Sequence, residues 1–185
     1  MSLAAGQGWG RIYQNRFTDP LGYGKTASRF SDPRRRIAKN RFGVLYLGQT
    51  LKVCFVEAVL RDDRDAVIGD LVLDEVTLTS RRYAEIEITE PLTLLDLRDD
   101  ARLRQGVPSD VVGGKDHGLA RRWSVAFHDH PAKVDGLLYP SRLNGVENIA
   151  LYDRAVHKLT AKAIYALDAA PGLAPVLDTY KIALA

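Results

Sequence analysis

The run from Phe42 to Arg61, FGVLYLGQTLKVCFVEAVLR, contains the two neighbouring elements that decide the fold. Its first part, Phe42–Leu47, is a short apolar run and predicts a buried strand. Thr50 is placed as an N-cap, because its hydroxyl can accept a hydrogen bond from an amide of the first helical turn. Apolar side chains at helical spacing then predict a helix from about Leu51 to Arg61.

Further strands and helices flank this run on both sides, with no internal repeat. Apolar or alternating runs predict strands at Trp9–Tyr13, Tyr83–Ile88, Leu92–Leu97, Leu137–Tyr139 and Asn148–Tyr152. The pair Asn144–Gly145 predicts a hairpin between the last two. Helical spacing predicts a helix over His117–Phe127 and a helical tail over about 156–185, including a run near Val156–Leu167. Because the turn signals favour antiparallel pairing, this mixture predicts an α+β fold.

Composition excludes several classes of protein. The 185 residues, 46% hydrophobic and 26% charged, are enough for one domain, 1–185, with a packed core. The net charge of +3 is far from that of a dedicated nucleic-acid binder, so no direct nucleic-acid partner is expected. The single cysteine, Cys54, excludes an internal disulfide and any Cys-rich zinc site. Charges break every long apolar stretch and the first residues do not resemble a signal peptide, so we expect a cytoplasmic protein with no membrane partner.

Glu57 is the most unusual residue of the predicted helix. It shares a helix face with Val53, Val56 and Leu60, so almost any orientation of the helix leaves it partly buried. A buried carboxylate is costly unless it is paired or hydrogen-bonded. The sequence leaves two alternatives, a structural ion pair with an arginine or an active-site carboxylate on a rigid element.

A cationic segment precedes the central strand. From Arg29 to Arg41 there are six basic residues against one acid, Asp32. The basic residues are Arg29, Arg34, Arg35, Arg36, Lys39 and Arg41. Guanidinium groups bind phosphate or pyrophosphate bidentately, so the segment is either an anion site or a solvated loop.

Three other motifs give weaker signals. Gly24-Lys25-Thr26 resembles the end of a phosphate-binding loop, but Asp19 stands where that motif needs glycine. His128 and His130 supply two candidate metal ligands without an evident third, so no metal site is expected. Ser141 is a nucleophile, a ligand-binding hydroxyl or a turn residue, and no G-x-S-x-G motif surrounds it.

Five segments in this order resemble the RES domain family, which is named for its arginine, glutamate and serine. They are Gly10-Arg-Ile-Tyr13, Ser28-Arg-Phe-Ser-Asp-Pro33, Phe42-Gly-Val-Leu-Tyr-Leu-Gly48, the helix with Glu57, and Asp135-Gly-Leu-Leu-Tyr-Pro-Ser-Arg142. The resemblance spans a motif-bearing core of about 9–153. The chain departs from the family in carrying extra basic residues from Arg34 to Arg41.

The resemblance implies a mostly antiparallel split sheet flanked by helices, similar to bacterial ADP-ribosyltransferases. It also implies the toxin of a type II toxin–antitoxin pair, with an Xre-like antitoxin as partner and NAD as the consumed substrate. By position, the family's functional residues fall on Arg11, Arg29, Tyr46, Glu57 and Ser141. The resemblance implies Glu57, Arg11 and Ser141 as catalytic residues, and Arg11, Arg29, Tyr46 and Ser141 as NAD-binding residues.

The resemblance implies a cellular protein, inorganic phosphate or water as the acceptor of ADP-ribose, and the sequence does not distinguish among these three. A non-enzymatic alternative is a RES-like module that binds only a nucleotide or its antitoxin.

Overall fold

The computed structural model describes residues 1–34, 37–61 and 67–185. Over these residues the strands are β1 (Ser2–Leu3), β2 (Gly8–Gln14), β3 (Val44–Gly48), β4 (Leu71–Leu73), β5 (Arg81–Ile88), β6 (Leu92–Asp96), β7 (Gly136–Pro140), β8 (Glu147–Tyr152), β9 (Leu159–Ala166) and β10 (Ile182–Leu184). The α-helices are α1 (Leu51–Phe55), α2 (Glu75–Thr79), α3 (Asp99–Arg104), α4 (Ser109–Gly113), α5 (Gly118–Asp129) and α6 (Leu173–Thr179). Short 3-10 helices cover Ala38–Asn40, Asp153–Lys158 and Leu167–Ala169.

Eight strands form one sheet in the order β1-β6-β7-β8-β3-β2-β5-β9. Neighbouring strands are antiparallel except β6 and β7, and β4 pairs in parallel with β10 in a separate small sheet. The predicted α+β fold with a mostly antiparallel sheet is confirmed. The predicted strands are all present, with ends shifted by a residue or two, and the helix predicted over His117–Phe127 is α5.

The sheet is split between β2 and β3, which pair at one position, Gly10 opposite Gly48. Both glycines are required there by close approach. A Cβ on Gly48 would lie 2.6 Å from Val53 Cγ1, and one on Gly10 would lie 2.7 Å from the Tyr83 ring and 3.1 Å from Cys54 Sγ. Since α1 packs directly on the junction, the split divides the sheet at the place where the helix begins.

Strand β3 is covered on both faces, as its nearly continuous apolar sequence predicts. Leu45 and Leu47 pack in a cluster with Trp9 of β2, whereas Val44 lies in a second cluster with Phe30 and residues of α5. This double coverage fixes β3 at the border of the split, as the last strand of one half of the sheet.

The helix that follows β3 differs from the prediction. Thr50 is the N-cap, and its Oγ1 accepts a hydrogen bond of 3.3 Å from the Val53 amide. The α-helix ends at Phe55, and residues Val56–Leu60 form a π-helical turn closed by a 2.7 Å bond from the Arg61 amide to the Val56 carbonyl. Arg61 ends the turn with a φ of 43°, in the left-handed region that residues with a Cβ rarely adopt. Glu57 therefore lies on a widened turn, a feature frequent at functional sites.

The prediction of a helical run at Val156–Leu167, within a helical tail over 156–185, is wrong for most of its length. Residues Leu159–Ala166 form strand β9, which pairs antiparallel with β5. Their burial alternates from Ala161 onward, with a period of two. The small and apolar residues of this run are compatible both with the helical period of about 3.6 residues and with the strand period of two. Pairing with β5 decides for a strand because it satisfies the backbone groups of that edge.

The hairpin predicted from Asn144–Gly145 is confirmed, since β7 and β8 are antiparallel and Gly145 adopts a φ of 73° in their connection. In the described part of the chain, no helix is long and apolar enough to span a membrane.

Candidate active site

A cleft of about 480 Å³ opens where the sheet splits. Strand β2 contributes one wall and β3 the other, and Glu57 enters from the π turn between them. Its charged and polar lining residues include Arg11, Ser28, Arg29, Tyr46, Glu57, Arg61, Lys115, His117, Tyr139, Arg142 and Asn148. Four of the five residues implied by the RES resemblance thus line one cleft, and the fifth, Ser141, is hydrogen-bonded to Glu57.

The Glu57 carboxylate is held by two neutral donors. Ser141 Oγ donates to Glu57 Oε1 over 2.5 Å, and Asn148 Nδ2 donates to the same oxygen over 3.3 Å. Both donors are buried, with 3% and 4% of their surface exposed, and Ser141 Oγ also accepts from the Leu143 amide at 3.1 Å. The carboxylate therefore has one orientation while its side chain stays half-buried at the cleft. Both donors are neutral, so they orient the carboxylate without neutralising it, and its place in the cleft fits the active-site alternative.

Arg11 is anchored on the β2 side. Its Nη1 donates to the Pro20 carbonyl over 2.5 Å, and its Cζ lies 5.5 Å from the centre of the Tyr13 ring. Burial lowers its pKa from 12.5 to about 10, against the attraction of Asp19. The guanidinium remains charged at neutral pH and is poorly solvated, a state in which it binds an anion strongly.

Arg29 enters the cleft from the loop before β3. Its Nη1 donates to the Gly114 carbonyl over 2.9 Å. Burial lowers its pKa, and the Tyr139 and Glu57 side chains oppose this shift. Arg29 and Glu57 both line this cleft, so a guanidinium and a carboxylate lie in the same site.

Tyr46 is tied to the loop that carries Arg29. Its hydroxyl lies 3.0 Å from Ser28 Oγ and accepts from the Phe30 amide over 2.9 Å. Burial raises the pKa of this phenol, so it stays neutral. The hydroxyl is thus engaged with protein groups, and Tyr46 also lines the cleft.

The cationic segment does not act as one unit. Among its described residues, Arg29 lines the cleft, whereas Arg34 pairs with Asp32 at 2.6 Å and with Asp129 at 2.8 Å. Arg41 Nε donates to the Arg34 carbonyl over 3.1 Å. Arg35 and Arg36 lie outside the described residues. Arg34 therefore fits neither of the two predicted alternatives, an anion site or a solvated loop, because its ion pairs give it a structural role.

His128 has a structural role. Its ring stacks on the Phe42 ring with 4.1 Å between the ring centres, and its Nδ1 is hydrogen-bonded to Asp129 Oδ1 at 2.8 Å. Burial lowers its pKa. Within residues 1–34, 37–61 and 67–185, no group of three or more His, Cys, Asp or Glu side chains could hold a metal ion. The thiol of Cys54 is buried, which raises its pKa to about 12.

Several cleft residues were missed by the sequence reasoning. Asn148 is a buried amide in the otherwise apolar run Asn148–Tyr152, and that irregularity was a usable signal. His117 precedes α5 and lines the cleft, and burial together with the charge of Arg29 lowers its pKa. Ser28 and Arg142 lie within two of the segments that resemble the RES family, but the resemblance implies no functional role for either residue. These residues come together only through strand pairing and loop packing.

Comparisons with known proteins show the family and the fold. The family model described as "RES domain" matches residues 5–171. A protein of Sinorhizobium fredii (strain NBRC 101917 / NGR234) described as "Probable toxin y4kH" is 41% identical over 116 residues, which cover 62% of this chain and 87% of that protein. A crystal structure of the M. tuberculosis MbcT–MbcA toxin–antitoxin complex contains a similar fold, with a TM-score of 0.66 and 19% identity, covering 97% of this chain and 91% of that one.

Proposed function

Because the chain belongs to the RES domain family, we propose that it is a toxin that cleaves the nicotinamide–ribose bond of NAD and transfers the ADP-ribose. The description of the S. fredii relative as a probable toxin supports the first part. The likeness to a toxin from a toxin–antitoxin complex supports an antitoxin partner, for which an Xre-like protein is the proposed type. We place its action in the cytoplasm.

The observation that carries the proposal is the orientation of Glu57. Its carboxylate is fixed by Ser141 and Asn148 in a cleft that also receives Arg11 and Arg29. One oriented negative charge beside two guanidinium groups suits a substrate with a cationic reacting end and a pyrophosphate. NAD has both, since its nicotinamide ring is positively charged and its two phosphates are joined.

In the proposed reaction the bond between the nicotinamide nitrogen and the ribose carbon breaks first. Its electron pair goes to the ring, which leaves as neutral nicotinamide, so no general acid is needed. The ribose carbon becomes part of an oxocarbenium-like cation, as in glycoside cleavage. The Glu57 carboxylate stabilises that cation electrostatically. The acceptor's oxygen or nitrogen then bonds to the same carbon, and its proton passes to solvent.

The arginines and Ser141 have different proposed roles. Arg11 and Arg29 bind the pyrophosphate, each being able to donate two parallel hydrogen bonds to phosphate oxygens. Ser141 is buried beneath Glu57, and its hydroxyl is engaged with Glu57 and with the Leu143 amide. We therefore assign Ser141 to positioning Glu57, in place of the contact with NAD that the resemblance implied.

The test is nicotinamide release from NAD by the purified chain, measured by chromatography with and without inorganic phosphate. Glu57→Gln keeps the shape of the side chain and removes its charge, and it is expected to slow release by about 100- to 1,000-fold. Glu85→Gln, on an exposed position of β5, is the matched control and should leave release unchanged. Full activity of Glu57→Gln would refute the role of the carboxylate.

The acceptor is identified by adding NAD labelled in the adenylate part to host lysate. We favour a protein acceptor, for which label appears in protein, and label confined to small molecules would indicate phosphate or water instead. The absence of both nicotinamide release and labelled protein would favour the alternative, a module that binds only a nucleotide or an antitoxin.

A further inference from the structure

We propose that the Tyr46 hydroxyl and Ser28 form a clamp that positions Arg29, so that Tyr46 acts on the bound dinucleotide through Arg29 and does not bind nicotinamide itself. The identity of the ligand rests on the proposed function. The assignment adds Ser28 to the site as a positioning residue and gives Tyr46 an indirect role in place of the direct NAD binding that the resemblance implied.

The clamp is defined by hydrogen bonds on both sides of Arg29. The Tyr46 hydroxyl accepts from the amide of Phe30, the following residue, at 2.9 Å. The same hydroxyl is 3.0 Å from Oγ of Ser28, the preceding residue. One phenol group from the rigid strand β3 thereby fixes the two neighbours of Arg29 in the chain.

The rest of the loop reinforces this geometry. Ser31 Oγ accepts from the Ser28 amide at 2.9 Å and donates to the Ser28 carbonyl at 3.1 Å. The Phe30 side chain is fully buried, and its carbonyl accepts from Ser124 Oγ of α5 at 2.7 Å. Arg29 is the charged residue of this turn, and it lines the cleft, where its Nη1 reaches the Gly114 carbonyl.

The hydrogen-bonding capacity of a phenol limits what else Tyr46 can do. A phenol hydroxyl has one proton and two lone pairs. One lone pair is used by the Phe30 amide, and Ser28 uses either the proton or the second lone pair. A hydroxyl engaged in this way is suited to holding the loop. When the loop is ordered before binding, the free energy of binding does not include the entropic cost of ordering the loop. This raises the affinity for the group that Arg29 binds.

The experiment measures binding of ADP-ribose by calorimetry or NMR titration. Tyr46→Phe keeps the ring and removes the hydroxyl, and is expected to weaken binding by about tenfold, since it removes two hydrogen bonds. Ser28→Ala removes one of them and should weaken binding by about threefold. Tyr165→Phe, in the edge strand β9, is the matched control and should bind as the wild type does.

Combining the change with Arg29→Ala separates positioning from direct contact. If Tyr46 acts through Arg29, Tyr46→Phe should weaken binding less than twofold further once Arg29 is gone. An unchanged tenfold effect in the Arg29→Ala protein would mean that Tyr46 touches the ligand and would overturn the proposal. Unaltered binding by both Tyr46→Phe and Ser28→Ala would overturn it equally.

A second readout needs neither turnover nor ligand. Hydrogen exchange of the Phe30 amide should be at least tenfold faster in Tyr46→Phe than in the wild type or Tyr165→Phe, because its acceptor is lost. Equal exchange would refute the clamp even if the protein cleaved NAD. Conversely, a protein that shows this acceleration but releases no nicotinamide would contradict the proposed function and leave the clamp intact.

Discussion

Ser141→Ala removes the shorter of the two hydrogen bonds that orient Glu57. The serine hydroxyl donates to Glu57 Oε1 over 2.5 Å, whereas the remaining donor, Asn148 Nδ2, is 3.3 Å away. Ser141 is 97% buried, so water cannot readily replace its hydroxyl. The substitution therefore frees the carboxylate to rotate without changing the charge of the cleft.

A hydrogen bond to a charged group contributes about 1.5–3 kcal/mol. If that contribution is needed in the transition state, kcat for nicotinamide release falls about 10- to 150-fold. KM should change little, because Arg11 and Arg29, the proposed pyrophosphate ligands, are untouched. The Leu143 amide also loses its acceptor, so we expect the unfolding temperature to fall by about 2–6 °C.

The measurement is steady-state nicotinamide release over a range of NAD concentrations, with thermal unfolding of the same samples. Ser80→Ala, at the end of α2, is the control and should retain both kcat and KM. A raised KM with unchanged kcat would show that Ser141 binds substrate, as the family resemblance implied. Unchanged kcat and KM together would refute its role in orienting Glu57.

Two further predictions concern stability. Gly48→Ala would place a Cβ 2.6 Å from Val53 Cγ1. It should lower the unfolding temperature by about 2–10 °C through a cost of about 1–3 kcal/mol. Gly24→Ala, whose Cβ meets nothing nearer than 3.9 Å, is the control, and equal unfolding temperatures would contradict the close packing at the split. Arg34→Ala leaves buried Asp32 without its bidentate partner and should cost about 1.5–3 kcal/mol at neutral pH, measured by denaturant unfolding. Burial raises the pKa of Asp32, but the bonds from Arg34 outweigh burial and leave that pKa below 3.8. Because the pKa of Asp32 is lower in the folded protein, the ionised carboxylate stabilises the fold above its unfolded-state pKa. This stabilisation is lost as the pH falls through the folded-state pKa. The difference in free energy of unfolding between wild type and Arg34→Ala should therefore become smaller at acid pH. A difference that does not change with pH would refute the pairing of Arg34 with Asp32.

Glu57 shows how far the candidate site could be predicted. Its neighbours in sequence were enough to predict a partly buried carboxylate after the central strand, which is confirmed. The hydrogen bonds from Ser141 and Asn148 to Glu57 could not be predicted from local sequence, because these donors are 84 and 91 residues away along the chain. The same limit applies to the cationic segment, where sequence could not separate Arg29, which reaches the cleft, from Arg34, which pairs with Asp32 and Asp129.

Elements that depend on short-range stereochemistry could be predicted from local sequence. Strand β3, the Thr50 cap and the turn at Gly145 depend on side chains within a few residues of each other, so local pattern predicts them. Leu159–Ala166 is a strand because its backbone groups pair with those of β5, and this long-range pairing is a property of the tertiary structure. The close approach at Gly10 and Gly48 likewise depends on distant parts of the chain meeting, since α1 and Tyr83 pack there. The cleft opens at that junction. The residues that line it are brought together by pairing between distant segments, and the free energy of such pairing cannot be predicted from any one local segment.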